Sequence, residues 1–182
     1  MSNKEFKKFH SQLDLPFQET KQIFLKEIFR TLESEFNLQK NSKHTFIDLG
    51  SGNGQVIIFS AMNYGIRSIG IEISPILIKE TKNSIRLLKE GNISKKKLLR
   101  KIKLISGNFY VHNLRKYDII YIYSLPTMHK YLKHVFQTVK SGSIIISHIY
   151  PLKFLTQYLE FKFKLEHYNE NQEISTFFYR KI

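Results

Sequence analysis

The sequence predicts an α/β protein with a seven-stranded, mostly parallel sheet, a terminal antiparallel hairpin strand, helices on both faces and an extra N-terminal helix. Three observations predict it. Apolar strands alternate with helical patterns between residues 44 and 149. A glycine-rich turn follows the first of these strands, and two strand-like segments end the chain. Alternation of this kind is typical of a parallel sheet covered by helices.

The first predicted element is an amphipathic helix from Phe17 to Phe36, with Pro16 just before its start. Its apolar residues keep helical spacing, at Ile23, Phe24, Ile28, Phe29, Leu32 and Phe36. A linker from Leu38 to Lys43 then leads to the first strand.

The alternating part of the chain comprises eight predicted elements, which are strand 44–49, helix 54–64, strand 67–73, helix 75–89, strand 102–106, strand 117–124, helix 127–139 and strand 143–149. Pro75 stands where the second of these helices begins, a position at which its missing N–H costs least. Gly91 lies just beyond the end of that helix, so both boundaries agree with the pattern.

The last part of the chain breaks the alternation. A short helix is predicted from Pro151 to Leu159, and two strands, 161–168 and 174–182, flank the polar turn 169–172. A nicotinamide-binding sheet would continue to a sixth parallel strand. The sequence therefore predicts a Rossmann-like sheet of five parallel strands that ends in an antiparallel hairpin.

Length and composition favour one folded unit. The chain has 182 residues, of which 42% are hydrophobic, enough for one sizeable core. We expect residues 1–15 to form a flexible N-terminal tail and residues 16–182 a single domain. The absence of cysteine excludes disulfides, thiolate metal sites and a cysteine nucleophile. With no apolar signal-like stretch and no long apolar run, a cytoplasmic protein without a membrane partner is expected.

The charge balance raises nucleic acid as a partner. The formal net charge is +14, and the sequence pI is near 9.8. However, 23 of the 29 cationic residues are lysine, and arginine is the better reader of bases and phosphates. The densest run, Lys95 to Lys103, is interpreted as a solvated connection, with contact to a phosphate or an acidic partner as the alternative.

A ligand turn is predicted where the strand that starts at Phe46 runs through Asp48 into three alternate glycines. Glycine can take positive φ and carries no Cβ, so a ligand can lie directly on the backbone there. Eighteen positions after the last of these glycines, Glu72 ends a second apolar strand. An acidic residue at that place suits the two hydroxyls of a ribose.

The spacing of the glycines narrows the class of ligand that the turn could bind. A dinucleotide fingerprint would need its third glycine at position 55, which is Gln55. A phosphate-binding Walker loop would need a following Gly-Lys-Ser/Thr, which the sequence lacks. A phosphate-free adenosyl ligand remains.

The segment Asp48-Leu49-Gly50-Ser51-Gly52-Asn53-Gly54, with Glu72 after it, resembles motif I and its acidic partner in the class I S-adenosylmethionine-dependent methyltransferases. The resemblance implies S-adenosyl-L-methionine as cofactor and S-adenosyl-L-homocysteine as product. It places the adenine at Asn108 and Phe109, the methionine carboxylate at backbone N–H groups around Gly52, and the cationic amino group at Asp48.

Three further segments are similar to the archaeal broad-specificity protein lysine methyltransferases and their mitochondrial relatives. They are Leu15 to Thr20, like the Pro-aromatic-x-Pro-Thr stretch of those proteins, Tyr123 to Pro126, like their Tyr-Leu-Leu-Pro, and Ile146 to Pro151, like their Val-Ser-His-x-x-Pro. Glu19 replaces the second proline of the first motif, and Phe17 stands where tyrosine is common.

This resemblance implies methyl transfer to an amine, with a lysine side chain of a protein as the acceptor. Tyr123, Ser124, Leu125 and Pro126 would orient the amine. His148 is either a proton acceptor or a histidine satisfied at the end of its strand. The implied cofactor contacts are Phe17, Thr20, Asp48, Gly50, Ser51, Gly52, Asn53, Gly54, Gln55, Glu72, Ile73, Asn108 and Phe109, and an aromatic near the sulfonium would come from Phe17, Phe109 or Tyr123.

Two alternatives stay open at this stage. The first is an RNA or DNA methyltransferase that uses the basic surface, although the fourth strand ends in Tyr-Ser-Leu-Pro where enzymes that methylate nucleic-acid amines commonly carry Asn/Asp-Pro-Pro-aromatic. The second is a noncatalytic methyltransferase-like domain that binds a partner. The histidines form no H-x-x-x-H or H-x-E pattern, so no metal is predicted.

Overall fold

The computed structural model of the protein describes residues 18–91, 95–169 and 172–182. Its elements, in chain order, are α1 (Gln22–Phe36), β1 (Thr45–Leu49), α2 (Gln55–Tyr64), β2 (Arg67–Glu72), α3 (Pro75–Gly91), α4 (Lys96–Leu99), β3 (Ile102–Ser106), a 3₁₀ turn (Phe109–Val111), β4 (Ile119–Ile122), α5 (Pro126–His129), α6 (Lys133–Gln137), β5 (Ile144–His148), a second 3₁₀ turn (Lys153–Leu155), β6 (Leu159–Asn169) and β7 (Gln172–Lys181).

All seven strands form one sheet in the order β3-β2-β1-β4-β5-β7-β6. The first five strands are parallel, β7 runs antiparallel to β5, and β6 pairs antiparallel with β7. The predicted mostly parallel sheet with a terminal antiparallel hairpin is therefore confirmed. Because β1 lies between β2 and β4, the chain reverses its direction of travel across the sheet there, and ligands of open α/β sheets bind at such a point.

Helices cover both faces of the sheet, and alternate strand residues enter two separate cores. Phe46 of β1 and Tyr121 of β4 pack against residues of α1 and α2 in one core. Ile47 and Ile120, their neighbours in sequence, pack against residues of α5 and α6 in the other. The face that carries Tyr121 also carries Asp48, because Asp48 and Tyr121 are paired in register.

The predicted helix 127–139 is wrong as one element. The chain forms α5 and α6 instead, separated by residues 130–132. Tyr131 N donates to Met128 O and Leu132 N donates to His129 O, which are tight i to i+3 turns that end α5. The break places Leu132 fully inside the core, so tertiary burial overrides the continuous helical pattern.

Two other helix predictions also need correction. The predicted helix Pro151 to Leu159 is only the 3₁₀ turn from Lys153 to Leu155, and Leu159 already belongs to β6. The opening helix begins at Gln22, because residues 18–20 run outside the helix to contact the end of the sheet. Phe17, the predicted start of that helix, lies outside the described residues.

The basic run is more ordered than a solvated connection. Lys96 to Leu99 form the short helix α4, which packs on α2 and α3. Leu99 is 1% exposed, whereas Lys95, Lys96 and Lys97 are exposed. Leu99 thus anchors the run, Lys95 to Lys97 face solvent, and the half-buried Lys101 donates to Gly65 O.

Two expectations concern the chain as a whole. The predicted tail, residues 1–15, lies outside the described residues, and the single domain 16–182 stays a prediction. Among residues 18–91, 95–169 and 172–182, no helix combines the length and the apolar character needed to cross a membrane.

Candidate active site

The glycine turn connects β1 to α2 at the carboxyl edge of the sheet. Gly50, Gly52 and Gly54 have φ values of 87°, 52° and 80°, which L side chains rarely adopt. Gly50 N and Ser51 N both donate to Ile71 O, at 3.0 and 2.9 Å, so the turn is tied to β2. The turn therefore has the backbone geometry that the sequence predicted.

Glu72 stabilises this turn from the end of β2. Its carboxylate accepts three backbone N–H groups at 2.8 Å, those of Gly52, Ile73 and Ser74. A carboxylate offers about four acceptor sites, so these bonds leave little spare capacity. A diol bound at Glu72 would therefore share the carboxylate with the Gly52 N–H or displace that N–H.

Asp48 lies 3% exposed at the end of β1. Burial, and secondarily the charge of Glu72, raises the pKa of the Asp48 carboxyl to about 8. In the ligand-free chain this carboxyl is therefore largely protonated at neutral pH. A cation placed beside it would favour the ionised form.

Thr81 of α3 holds the turn from the other side, a role that no sequence motif indicated. Its hydroxyl lies 3.0 Å from Gly52 O and 2.9 Å from Leu77 O. A Cβ added to Gly54 would come within 2.3 Å of the Thr81 methyl group. No local pattern marks Thr81, because the contact depends on how α3 packs against the turn.

The predicted adenine residues lie beside the turn. Phe109 Cε1 is 3.6 Å from the position that a Cβ on Gly50 would occupy, and the Phe109 ring stacks on Tyr110 with centroids 4.5 Å apart. Asn108 caps the 3₁₀ turn, since its Oδ1 accepts from Tyr110 N at 2.9 Å. Its amide NH₂ and one oxygen lone pair remain for a ligand.

The remaining predicted turn residues differ in their surroundings. The side chain of Ser51 packs against Gly70, where an added Cβ would meet Ser51 Oγ at 2.5 Å. Its backbone N–H and carbonyl are engaged by Ile71 O and Gly54 N, whereas Ser51 Oγ is buried without a hydrogen-bond partner in the described residues. Asn53 Oδ1 accepts from Gln55 N at 3.2 Å. Ile73 is 47% exposed, and its backbone N–H is already engaged by Glu72.

Residues 18–20 lie across the ends of β1 and β4. Tyr123 OH donates to Gln18 Oε1 at 2.7 Å, Thr20 Oγ1 lies 2.8 Å from Tyr121 OH, and Asn53 Nδ2 donates to Glu19 Oε1. Thr20 therefore contacts β4, the neighbour of the strand that carries Asp48, and its contact with the cofactor stays a prediction. Tyr121, its buried partner, was missed because only the strand register places it there.

The residues predicted to orient the substrate amine, Tyr123 to Pro126, directly follow β4, and we call them the substrate floor. His129 Nε2 lies 3.1 Å from both the carbonyl and the hydroxyl oxygen of Ser124, and Met128 N donates to Leu125 O at 2.9 Å. Pro126 begins α5. The expectation that backbone carbonyls orient an amine is thus weakened at Ser124 and Leu125, which are engaged internally. The half-buried Tyr123 side chain is the member of the floor best placed to contact a substrate.

His148 ends β5 beside that floor. It is 1% exposed, and its ring meets the ring of Tyr123 edge-on with centroids 5.2 Å apart. Its Nδ1 lies 2.8 Å from Thr176 Oγ1. Burial, together with the nearby His167, lowers the pKa of His148 to about 3, so the ring is neutral at physiological pH. In the described residues no group of three histidine, aspartate or glutamate side chains could hold a metal ion.

Comparisons with known proteins agree with this geometry. A "Protein-lysine N-methyltransferase" of Saccharolobus islandicus is 24% identical over 108 residues, which cover 58% of this chain and 62% of that protein. A lysine N-methyltransferase of Caenorhabditis elegans, named for one of the subunits of ATP synthase, is 27% identical over 128 residues, covering 70% of this chain and 63% of that protein. The match thus spans less than two thirds of either relative.

Among solved structures, an RNA methyltransferase from Salinibacter ruber in complex with S-adenosyl-L-homocysteine superposes with a TM-score of 0.71 at 19% identity, covering 90% of this chain and 94% of that one. At this identity the likeness establishes the fold alone. The family model of the ANTKMT methyltransferase domain matches residues 48–158, more than half of the chain, from the aspartate of the glycine turn to the start of the terminal hairpin. The chain therefore belongs to the ANTKMT methyltransferase domain family.

Proposed function

We propose that this protein is an S-adenosylmethionine-dependent protein-lysine N-methyltransferase. The observation that carries the proposal is the convergence of Asp48, Glu72 and Phe109 on the positive-φ glycine turn at the carboxyl edge of the sheet. Family membership and two relatives named as lysine methyltransferases support it.

The residues at the turn fit the cofactor in charge and shape. Asp48 is a buried carboxyl suited to a cationic amino group, and Glu72 offers an acceptor to ribose hydroxyls that share its carboxyl group with the Gly52 N–H or displace that N–H. Gln55 Oε1 is buried and has no hydrogen-bond partner within the described residues, so a ligand donor would satisfy it. A ligand on Gly50 would also meet the edge of the Phe109 ring.

When bound, S-adenosylmethionine supplies an electrophilic methyl group on a cationic sulfur. The protein must then present a lysine amine in its neutral form and in line with the carbon–sulfur bond. An unperturbed lysine has a pKa of about 10.4, so the neutral amine costs on the order of 4 kcal/mol at pH 7. Exclusion of water by residues 18–20 and by Tyr123 would lower that cost by desolvation, and alignment at the floor supplies a further part of the rate enhancement.

Nucleic acid is the second candidate acceptor, because a groove lined by Lys43, Arg67, Arg100, Lys101 and Lys103 is strongly basic. These residues lie near the amino ends of β1, β2 and β3. The glycine turn lies at the opposite, carboxyl edge. A nucleic acid held in the basic groove would thus be on the wrong side of the sheet for methyl transfer. This placement favours a protein over a nucleic acid as the methyl acceptor. The cytoplasmic location expected from the sequence stays a prediction.

The test is transfer of a tritiated methyl group from S-adenosylmethionine to a cell extract. We expect the label to resist nuclease, to be lost with protease, and to appear as methyllysine after acid hydrolysis. Asp48→Asn should abolish most labelling. Asp118→Asn is the matched control, since Asp118 pairs with Lys140 at the amino end of β4, away from the turn. Label that survives protease and disappears with nuclease would overturn the proposal in favour of a nucleic-acid acceptor.

A further inference from the structure

A chain of buried polar side chains crosses three strands next to the substrate floor. His148 of β5 lies directly opposite Thr176 of β7, with Nδ1 and Oγ1 2.8 Å apart. The same Thr176 oxygen lies 2.8 Å from Nε2 of His167 on β6. His167 Nδ1 lies 2.5 Å from Glu27 Oε2 on α1.

Burial isolates this chain everywhere except at its far end. Thr176 and His167 are fully buried, and His148 is 1% exposed. The Glu27 side chain is 37% exposed, so it opens to solvent. The chain therefore connects the region of the substrate floor to water on the far side of α1.

The titratable groups whose rings pack around His148 are Tyr121, Tyr123 and His167, the last with its ring centroid 5.8 Å away. From α1 the Phe24 ring packs on His148 and His167, with centroids 6.0 and 4.6 Å away. From β4 the rings of Tyr121 and Tyr123 pack at 6.3 and 5.2 Å. Burial holds the pKa values of both phenols above their usual range, so they are neutral. In the described part of the chain, Glu27 is the charged group bonded to this cluster.

One direction of these hydrogen bonds leaves a nitrogen of His148 free to accept a proton. In it, His167 Nδ1–H donates to Glu27 Oε2, the Thr176 hydroxyl donates to His167 Nε2, and His148 Nδ1–H donates to Thr176 Oγ1. His148 Nε2 then carries no hydrogen and can accept one.

We propose that His148 Nε2 accepts the proton that the substrate amine must lose, and that Thr176, His167 and Glu27 relay this proton to solvent. The inference rests on the proposed lysine methylation. As Nε2 takes the proton from the ammonium nitrogen, the Nδ1 proton passes to Thr176. The Thr176 hydroxyl proton passes to His167 Nε2, the His167 Nδ1 proton passes to Glu27, and water accepts it there. The amine is left with its lone pair, and no oxidant or reductant is needed.

The low proton affinity of His148 requires that Nε2 accept a proton only as Nδ1 releases one. Because burial disfavours imidazolium at this position, the positive charge would not stay on His148. It would move toward the anionic, partly exposed Glu27. His148 is thus the group that would touch the substrate, whereas Thr176, His167 and Glu27 are positioning residues that act through it.

The first test compares Thr176→Val with Thr176→Ser. Valine keeps the shape and removes the hydroxyl, whereas serine keeps the hydroxyl. We expect Thr176→Val to lower the initial rate of lysine labelling at pH 7 about 10- to 100-fold, the lower part of the range for general base catalysis. The loss should shrink toward pH 10, where free amine is abundant, and serine should restore most of the rate and the wild-type pH profile.

Two outcomes of this test separate the relay from the function on which it rests. If wild type labels lysine and Thr176→Val shows a loss that is equal at every pH, or no loss, the relay is overturned and the proposed function stands. If wild type labels no lysine in a nuclease-treated extract, the proposed function fails, and the relay's role fails with it. Calorimetric binding of S-adenosylhomocysteine should be the same for both variants.

A second test needs no activity. In protein labelled with ¹⁵N-histidine, long-range nitrogen–proton NMR spectra report which ring nitrogen carries hydrogen. The relay requires Nδ1–H tautomers of both His148 and His167 at pH 7. An Nε2–H tautomer at His148 would overturn the proposal whether or not Thr176→Val folds.

Discussion

Thr20 and Tyr121 are separated by 101 positions in the chain and share a buried hydrogen bond of 2.8 Å. Tyr121 is in register with Asp48 on the neighbouring strand, so this bond holds residues 18–20 against β4, next to the strand that begins the glycine turn. Thr20 is 4% exposed and Tyr121 is 1% exposed, so water cannot replace either partner. Of the three polar contacts that residues 18–20 make at this edge of the candidate site, the Thr20–Tyr121 bond is the buried one.

Thr20→Val should lower the free energy of unfolding by about 1–3 kcal/mol, because the buried Tyr121 hydroxyl loses its partner. Tyr121→Phe in the same chain should recover part of the loss, since both polar groups are then absent. Urea denaturation of the two single variants and the double variant measures the coupling.

Thr31→Val is the matched control for this cycle. Among the described residues, its hydroxyl bonds to Glu27 O of the same helix, so the free energy of unfolding should change by less than about 0.5 kcal/mol. Additive effects of Thr20→Val and Tyr121→Phe would show that the two residues are not coupled.

Gly54→Ala should destabilise the fold for two reasons, positive φ and contact with Thr81. Gly142→Ala isolates the first reason, because Gly142 has a φ of +84° and no neighbouring atom within 4 Å of the added Cβ. We expect about 1–2 kcal/mol at Gly142 and roughly 1–3 kcal/mol more at Gly54, the range for overpacking.

Thr81→Ser removes the clashing methyl group and keeps the hydroxyl that contacts Gly52 O. Added to Gly54→Ala, it should bring the loss in free energy of unfolding close to that of Gly142→Ala. Thermal unfolding of the three variants measures the difference. No recovery in the double variant would mean that φ strain alone limits position 54.

The raised pKa of Asp48 makes stability depend on pH. Folded Asp48 has a pKa of about 8 against an ordinary value of 3.8, so between these values the folded state binds more protons than the unfolded state. The contribution of Asp48 to the free energy of unfolding should therefore decline as pH rises from about 4 to 8. Asp48→Asn should remove this decline and unfold at a higher temperature than wild type at pH 8, whereas Asp118→Asn should keep the wild-type slope.

The same carboxyl should couple cofactor binding to proton release. A cationic amino group beside Asp48 stabilises the ionised form and lowers its pKa. Binding of S-adenosylhomocysteine at pH 7 should then release up to one proton, and the affinity should rise from pH 6 to 8. Calorimetric titration in buffers with different ionisation enthalpies measures the protons released. Identical heats in phosphate and Tris would rule out this coupling.

Elements governed by neighbouring residues were predictable from the sequence. The alternation of strand and helix, the hairpin at the end and the positive φ of Gly50, Gly52 and Gly54 all follow from local periodicity and from the sterics of Cβ. Where burial competed with periodicity, prediction failed. Residues 127–139 break into two helices because Leu132 is drawn into the core.

What the sequence by itself determined is therefore the class of fold, the glycine turn and the acidic residues that end β1 and β2. Only the tertiary structure decided that Thr81 closes on Gly54, that Thr20 bonds to Tyr121, and that a polar chain runs from His148 to Glu27. The physical reason is the distance along the chain over which each effect acts. Backbone conformation is set by residues within a few positions, whereas strand order and register determine which distant side chains share a face.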